Sequence, residues 1–583
     1  MDAIHTGRRH LADWQASRPQ NYFSGNAVLA ALAARHGASP EALARLDRYG
    51  AVMAQDVLDL VHRCGTEPNT PVLERFDAIG RRQERVRFDP SYHAWGDIIY
   101  GSGVMGLTGQ PEHAIEQAAL ITLTAHHGEG GHTCPLACTA GLIRVLQRVG
   151  HPALQRALLP GLTAADPARR LHGSQFLTEV QGGSDVGANA SRAVPVRAET
   201  AESPAVWRIH GEKWFCSVID APLYLMTARP EDAPPGTRGL GLFIVPHDLP
   251  GDDGARLDVT PLPQRFGFQP PATPNDFAIR RLKSKLGTRA MASGEVDWQG
   301  ALAWQVGQID RGFWQVVEIV LNTSRLFNAL ACAGSMFRAF HEAAGFARHR
   351  TAFGQPIARF AAVDQSLGQL YAEACAATAS TFDLIALEAS GEHPEALRLG
   401  LNLNKYWTSI RNTQMVRLAM EVLGGNGTIE DFSPLPRLFR DSMVTESWEG
   451  THNVLAAQTL RDLQKLKLHE PFLERLAVRL LALGPVPHAA AMRQRLEECA
   501  REATRLAQAT GEDAPIAVRA WMEAVMVTYQ AVCLTELAAW QALQVSPPGV
   551  AGQAPLSADV VAQLLELHPI RPAVASRGWW PNS

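Results

Sequence analysis

At 583 residues the chain is too long for one hydrophobic core, so several domains are expected. Its 46% apolar and 19% charged residues are those of an ordinary globular protein, and a formal net charge of −4 gives no electrostatic signal for nucleic acid or an anionic membrane. Eight scattered cysteines, with no zinc-ligand spacing around Cys134 and Cys138, point to buried free thiols in a reducing compartment, and no run of about 18 apolar residues suggests a membrane span, so a soluble, cytoplasmic protein is expected.

In chain order, residues 1 to about 25 read as an irregular arm. From Gly25 to about Leu162 the pattern is largely helical: Val28, Leu29 and Leu32 recur at helical spacing, and Ser39-Pro40 is a helix start with a serine cap and a first-turn proline. Further helices are expected over 115–125 and 135–149. Between about Leu171 and Trp304 glycine, proline and β-branched residues dominate, which predicts a mostly antiparallel sheet, with a turn at Gly211 between two strands and a loop-like segment over 252–280. Long helices then return over 313–347, 363–389 and 394–423, with a fourth from Val454, lengths that suit a four-helix bundle. Beyond 465 come helices over 471–483, 489–509 and 515–544. The expected fold is α+β and mostly α: a helical segment 1–170, a β domain 171–305, a bundle 306–465 and a helical extension 466–583.

Four stretches carry chemistry. Leu177-Thr178-Glu179-Val180-Gln181-Gly182-Gly183-Ser184-Asp185 places adjacent glycines among hydroxyls, suited to close approach of an acceptor, although a plain turn has the same composition. Lys213-Trp214-Phe215-Cys216-Ser217 sets an aromatic beside a hydroxyl, able to cover a planar ring or simply to fill a core. His349-Arg350-Thr-Ala-Phe353-Gly354 offers a guanidinium for pyrophosphate, or a cation at a helix C-terminus. Glu421-Val-Leu-Gly424-Gly425-Asn426-Gly427 ends a helix. Trp448-Glu449-Gly450-Thr451 closes the set, just before a helical run.

Together these stretches resemble the acyl-CoA dehydrogenase flavoprotein family over residues 60–465, and the fold expected above is that family's. Val86-Arg-Phe-Asp-Pro90, Gln181 before Gly182-Gly183, and the helical extension are similar to its alkylation-response (AidB-like) branch. The resemblance implies FAD, with Leu177, Thr178, Gly183, Ser184, Phe215 and Ser217 around the cofactor. Arg350, Phe353, Glu421 and Gly425 would reach the FAD of a neighbouring subunit in a homotetramer, and Thr451 and Asn453 would make further FAD contacts. Ser184, Arg325 and Gly450 would line the acyl-CoA site. Glu449 matches the catalytic base for α,β-dehydrogenation of an acyl thioester in fatty acid metabolism, with electron-transferring flavoprotein as the family's usual acceptor. Some branches carry the base just before an arginine on an earlier helix, where this chain has Ser324 before Arg325.

The AidB-like branch also brings a DNA-binding, alkylation-protecting reading, in which a basic C-terminal domain supplies the DNA surface. Residues 465–583 hold 11 Lys plus Arg against 11 Asp plus Glu, and this neutrality argues against phosphate-driven binding. A third reading is a non-catalytic acyl-CoA binder that keeps FAD.

Overall fold

The computed structural model describes residues 3–250, 272–511, 513–544 and 556–570. Two compact units cut across chain order. One comprises Met1–Asp56, Ala114–Gly128 and Asn328–Ser583, the other Val57–His113 and Glu129–Phe327.

The second unit carries the main sheet. Seven strands, β3 (Gly173–Phe176), β4 (Arg192–Arg197), β5 (Val206–Ser217), β6 (Leu223–Pro230), β7 (Gly241–Pro246), β10 (Phe277–Leu282) and β11 (Ser293–Gln305), pair in the order β10-β11-β5-β4-β6-β3. β7 joins both β11 and β6, so the pairing closes on itself. Most pairs are antiparallel, as expected; β6 runs parallel to β3 and β4. Phe176, Tyr224, Phe277 and Trp298 form its aromatic core, with ring centroids 4.9–6.3 Å apart.

Three expectations need correction here. Gly211 does not turn the chain: β5 runs on through it, paired with β11 from Ser217 to Val206. Its φ of +133° and the 2.7 Å gap that a Cβ would leave to Ser191 explain the glycine as a close strand crossing. The segment 252–280 is not all loop. Residues 252–271 lie outside the described residues, but Ala272–Pro274 (β9) pairs with Asp248–Pro250 (β8), and Phe277 opens β10. The span read as helical also holds a hairpin, Val72–Phe76 (β1) with Arg82–Arg87 (β2). Its charged, half-exposed strands lack the alternation that marks a buried strand, yet buried Glu84 fixes it by accepting from the Ile279 amide at 2.9 Å.

The first unit is helical. An antiparallel pair, Ala361–Ser390 and Pro394–Leu423, packs with His452–Leu466 and with the C-terminal helices His469–Ala482, Ala514–Ala542 and Ala558–Leu567. Asp383 holds that packing: Arg479 reaches it at 2.9 and 3.0 Å, Arg475 at 3.4 Å and the Tyr529 hydroxyl at 2.6 Å. Burial opposes the charge, but the Arg479 and Arg475 guanidiniums hold the carboxyl below its ordinary range. The N-terminal arm is in fact a helix, Ala3–Ala16, pinned by buried Trp14, which stacks on Phe432 at 5.0 Å and meets Phe346 edge-on at 5.4 Å. One large anchor in a polar segment leaves little periodicity to read. The expected cap at Ser39 is present, its Oγ accepting from Ala42 N at 3.2 Å.

The helix Asn322–His349 follows a single α turn, Gly312–Gln315, and a π-helical segment, Val316–Leu321. The stretch Ile309–His349 is long and apolar enough to cross a membrane, but 78% of its most apolar window is buried within the protein, the mark of a core helix. All eight cysteines are buried thiols outside any disulfide.

Candidate functional site

The candidate residues fall in both units, and each group is described within its own.

In the sheet unit, Leu177–Asp185 leaves β3 as a loop tied at its base. Glu179 is buried and receives the Ala190 amide at 2.6 Å, the Ser191 amide at 3.2 Å and Lys213 Nζ at 2.7 Å. Lys213 also donates to the Leu177 carbonyl at 3.2 Å, and Asn189 to the same oxygen at 2.5 Å. Burial disfavours charge on both partners, yet the Lys213 ammonium holds the Glu179 carboxyl below its usual value. Gly182 is dictated by packing, since a Cβ there would stand 2.2 Å from Asn189 Oδ1. At Gly183 a Cβ would meet only Thr178, at 3.3 Å, so this backbone is the accessible part of the pair.

β5 presents its candidates through a bulge. Cys216 pairs with Gly294 and Lys213 with Val296, so Trp214 and Phe215 together face the single residue Glu295. The extra residue turns Lys213 and Cys216 inward and leaves Phe215 57% exposed. Lys283 Nζ lies 3.6 Å from the Trp214 ring centroid and 4.9 Å from that of Phe215, while pairing with Glu295 at 2.7 Å. The Trp214 amide donates to the Thr178 carbonyl at 2.9 Å, joining strand to loop, and Ser217 Oγ lies 3.3 Å from Ser293 Oγ. Leu177, Thr178 and Ser217 are half-buried, and Ser184 is exposed. Buried Arg325 follows the π-helical segment, a feature that recurs at functional sites, and its neighbour Ser324 donates to Gln175 Oε1 at 3.5 Å.

In the helical unit, Leu435–Thr445 ends at Glu446, and the next helix starts at His452 with Thr451 as cap residue. Between them Glu449 has φ +57° and Gly450 φ +107°. Lys405, on Pro394–Leu423, is fully buried and donates from Nζ to the Glu446 carbonyl at 2.8 Å and the Gly450 carbonyl at 2.9 Å. Asn328 Nδ2 donates to the Thr445 carbonyl at 3.1 Å. Thr451 and Asn453 are exposed, and Arg519 of the C-terminal extension donates to Asn453 Oδ1. Burial, with Lys405 and Arg519 nearby, pushes His452 down to about 4 and keeps it neutral.

Arg350 ends its helix, exposed, and leads into a two-residue hairpin turn, Phe353 (φ +49°) and Gly354 (φ +85°), between Thr351–Ala352 and Gln355–Pro356. Phe353 at the tip is 97% exposed. Glu421 and Gly425 are exposed as well, Glu421 lying 3.4 Å from Arg417. These four residues are on the surface of their unit, away from its packed interior.

Sequence reasoning assigned no role to Glu179, Lys213, Lys283, Lys405 or Arg519. Lys405 and Lys213 left one faint signal, a lysine inside an otherwise buried segment.

Residues 310–464 match the acyl-CoA dehydrogenase C-terminal domain, and residues 14–166 the adaptive response protein AidB N-terminal domain. AidB of Escherichia coli (strain K12) is 32% identical over 412 residues, covering 68% of this chain and 70% of that protein. The chain belongs to the acyl-CoA dehydrogenase family. The N-terminal match bears out the AidB-like resemblance as well. Acyl-CoA dehydrogenase family member 11 of Caenorhabditis elegans is 30% identical over 438 residues, 72% of this chain and 66%, just under two thirds, of that protein. Its crystal structure with C11-CoA has a TM-score of 0.79 at 23% identity, covering 96% of this chain and 93% of that one. An acyl-CoA dehydrogenase of Bacillus anthracis solved with FAD has a TM-score of 0.67 at 17% identity, covering 91% and 85%. The family's fold, with its central β domain and flanking helices, is the one described above.

Proposed function

We propose that this protein is an FAD-dependent acyl-CoA dehydrogenase in which Glu449 is the base. The observation that carries the reading is the conformation of Glu449: a non-glycine residue held at φ +57° in a loop tied by a buried lysine, at the family's catalytic position.

The residues of the sheet unit suit FAD in their chemistry. Phe215, raised by the bulge, gives an aromatic face. The Thr178 and Ser217 hydroxyls give polar partners, and the backbone at Gly183 is open to close approach. Bound FAD would supply the acceptor for the hydride leaving the substrate Cβ. Glu449 removes the Cα proton; because a thioester α-proton is a weak acid, the carboxylate must be close and partly desolvated. The Glu449 backbone N–H donates to the thioester oxygen as enolate charge develops. Arg325, Gly450 and Ser184 line the acyl-CoA, and the exposed Arg350, Phe353, Glu421 and Gly425 serve the site of a neighbouring subunit in a homotetramer. Reoxidation by electron-transferring flavoprotein completes turnover.

The match to the AidB N-terminal domain keeps the DNA-protecting reading as the alternative. The extension offers it little, since residues 465–583 carry no net charge and Arg475, Arg479 and Arg505 are each paired with a carboxylate.

The test is anaerobic flavin bleaching by butyryl-, octanoyl- and palmitoyl-CoA, with duplex DNA binding measured at two salt concentrations. Rapid bleaching by one length class is expected, and Glu449→Gln should retain FAD and abolish it. No bleaching with salt-sensitive DNA binding would favour the alternative; bleaching by Glu449→Gln at the wild-type rate would remove Glu449 as base.

A further inference from the structure

Lysine is almost never fully buried without compensation, because its ammonium loses several kcal/mol of hydration. Lys405 is fully buried on the bundle helix Pro394–Leu423. Its two hydrogen bonds to the loop go to the carbonyls of Glu446 and Gly450, on either side of Ser447-Trp448-Glu449. Both ends of a three-residue turn are thereby fixed to one rigid helix. Within the turn Glu449 occupies the left-handed region, which disfavours a residue with a Cβ by about 1–2 kcal/mol and persists only when its surroundings over-determine it. The bond from Asn328 to the Thr445 carbonyl fixes the incoming helix, and Thr451 opens the outgoing one. The turn has little backbone freedom left.

We propose that Lys405 is a positioning residue for proton abstraction: by holding the Glu446 and Gly450 carbonyls it locks Glu449 into the left-handed conformation that sets where its carboxylate stands. This rests on Glu449 being the base. Beside the turn stand Lys405 and Glu446, with neutral His452 3.8 Å from Glu446 and Arg519, on Ala514–Ala542, bonded to Asn453. Glu446 is raised by burial, which Lys405 partly counters.

The experiment uses FAD-loaded full-length enzyme and the acyl-CoA that bleaches it fastest among butyryl-, octanoyl- and palmitoyl-CoA. Stopped-flow flavin reduction is followed across pH for wild type, Lys405→Met, Lys405→Gln, Lys405→Arg and Glu449→Gln, with acyl-CoA Kd taken from visible difference spectra. Misplacement of a catalytic group by about 1 Å costs on the order of a hundredfold. Lys405→Met should thus lose about that factor in limiting reduction rate at every pH, with FAD content and acyl-CoA Kd nearly unchanged. Lys405→Arg should restore much of the rate. If Lys405→Met fails to hold FAD, the comparison is read from Lys405→Gln, whose amide nitrogen is one atom short of the Nζ position that joins both carbonyls, and Lys405→Arg: a loss in Gln that Arg restores supports the proposal, and a wild-type rate in Gln overturns it. Wild-type rates in Lys405→Met, with Glu449→Gln inactive, would overturn the positioning role alone. Activity in Glu449→Gln would overturn the base assignment first.

Discussion

Lys213 and Glu179 meet at 2.7 Å with neither side chain open to solvent. Glu179 belongs to the Thr-Glu-x-x-x-Gly-Ser-Asp stretch, yet it faces the protein. Its oxygens collect the Ala190 and Ser191 amides while Lys213 fastens the Leu177 carbonyl. Removing one partner strands a buried charge, which costs about 3–5 kcal/mol. Lys213→Met should lower stability by that order in a denaturant or thermal melt, and lower FAD retention because Thr178 and Gly183 stand on the same loop. Lys213→Met combined with Glu179→Leu should recover most of the stability; failure to recover would mean the pair does more than hold its own charges.

Several buried histidines make the protein sensitive to mild acid. Burial pushes His126 and His132 down to about 3 and His341 down to about 4, with neighbouring cations contributing. In the unfolded chain each titrates near its ordinary value of about 6.5. Below that pH the unfolded state binds protons that the folded state refuses, so stability falls as pH drops from about 6.5 toward 4, by about 1.4 kcal/mol per pH unit for each such group. His247 works the other way: burial lowers it, but Asp248 outweighs burial and raises it, so it offsets part of the loss. Chemical denaturation at pH 7.5, 6, 5 and 4 should show a steady decline starting well above the carboxylate range, and His126→Phe should flatten it. A plateau down to pH 5 would contradict the assignment.

The candidate positions were legible because they lie in contiguous stretches whose spacing survives in one dimension. Helix ends were legible too: Ser39 caps through its own hydroxyl, and Pro394 begins its helix where the pattern placed it. What failed depends on partners distant in sequence. Gly211 looks like a turn until β11 is seen running along the whole of β5. Trp14 anchors an otherwise polar helix through Phe346 and Phe432, more than 300 residues away. The bulge that turns out Phe215 is set by the register of Gly294 and Val296, and the role of Lys405 by carbonyls that carry no side-chain signature.

The extension beyond residue 465 is built into the helical unit, and Asp383 is where it is held. One carboxylate on Ala361–Ser390 takes Arg475, Arg479 and Tyr529, while Glu536 takes Arg479 and Arg35. Asp383→Asn keeps the shape but leaves two guanidiniums facing a neutral group, with Glu536 as partial compensation. A loss of about 3 kcal/mol is expected, with faster proteolysis after residue 465. Because its folded pKa is depressed, the carboxylate's contribution is complete above its unfolded value and vanishes as pH falls through the folded one. The variant should therefore differ from wild type at pH 7 and converge with it in strong acid.

Phe353 carries two costs at once. At the tip of a two-residue turn it holds φ +49°, and its ring is 97% exposed. An aromatic side chain can bury about 150–250 Å², and here it gains only an edge-on contact with Phe360, ring centroids 6.2 Å apart, so most of that area stays in water on a strained residue. A second copy that covers the ring would account for both costs. Phe353→Asn separates them, because Asn-Gly is the favoured pair for a turn with two positive φ values. Relief of strain should stabilise the folded chain by up to about 1 kcal/mol, whereas loss of the ring should weaken self-association and FAD retention. Tm at low protein concentration should rise slightly while the mass by light scattering falls. An unchanged mass with full FAD content would show that Phe353 seals no interface, and its strain would then need another cause.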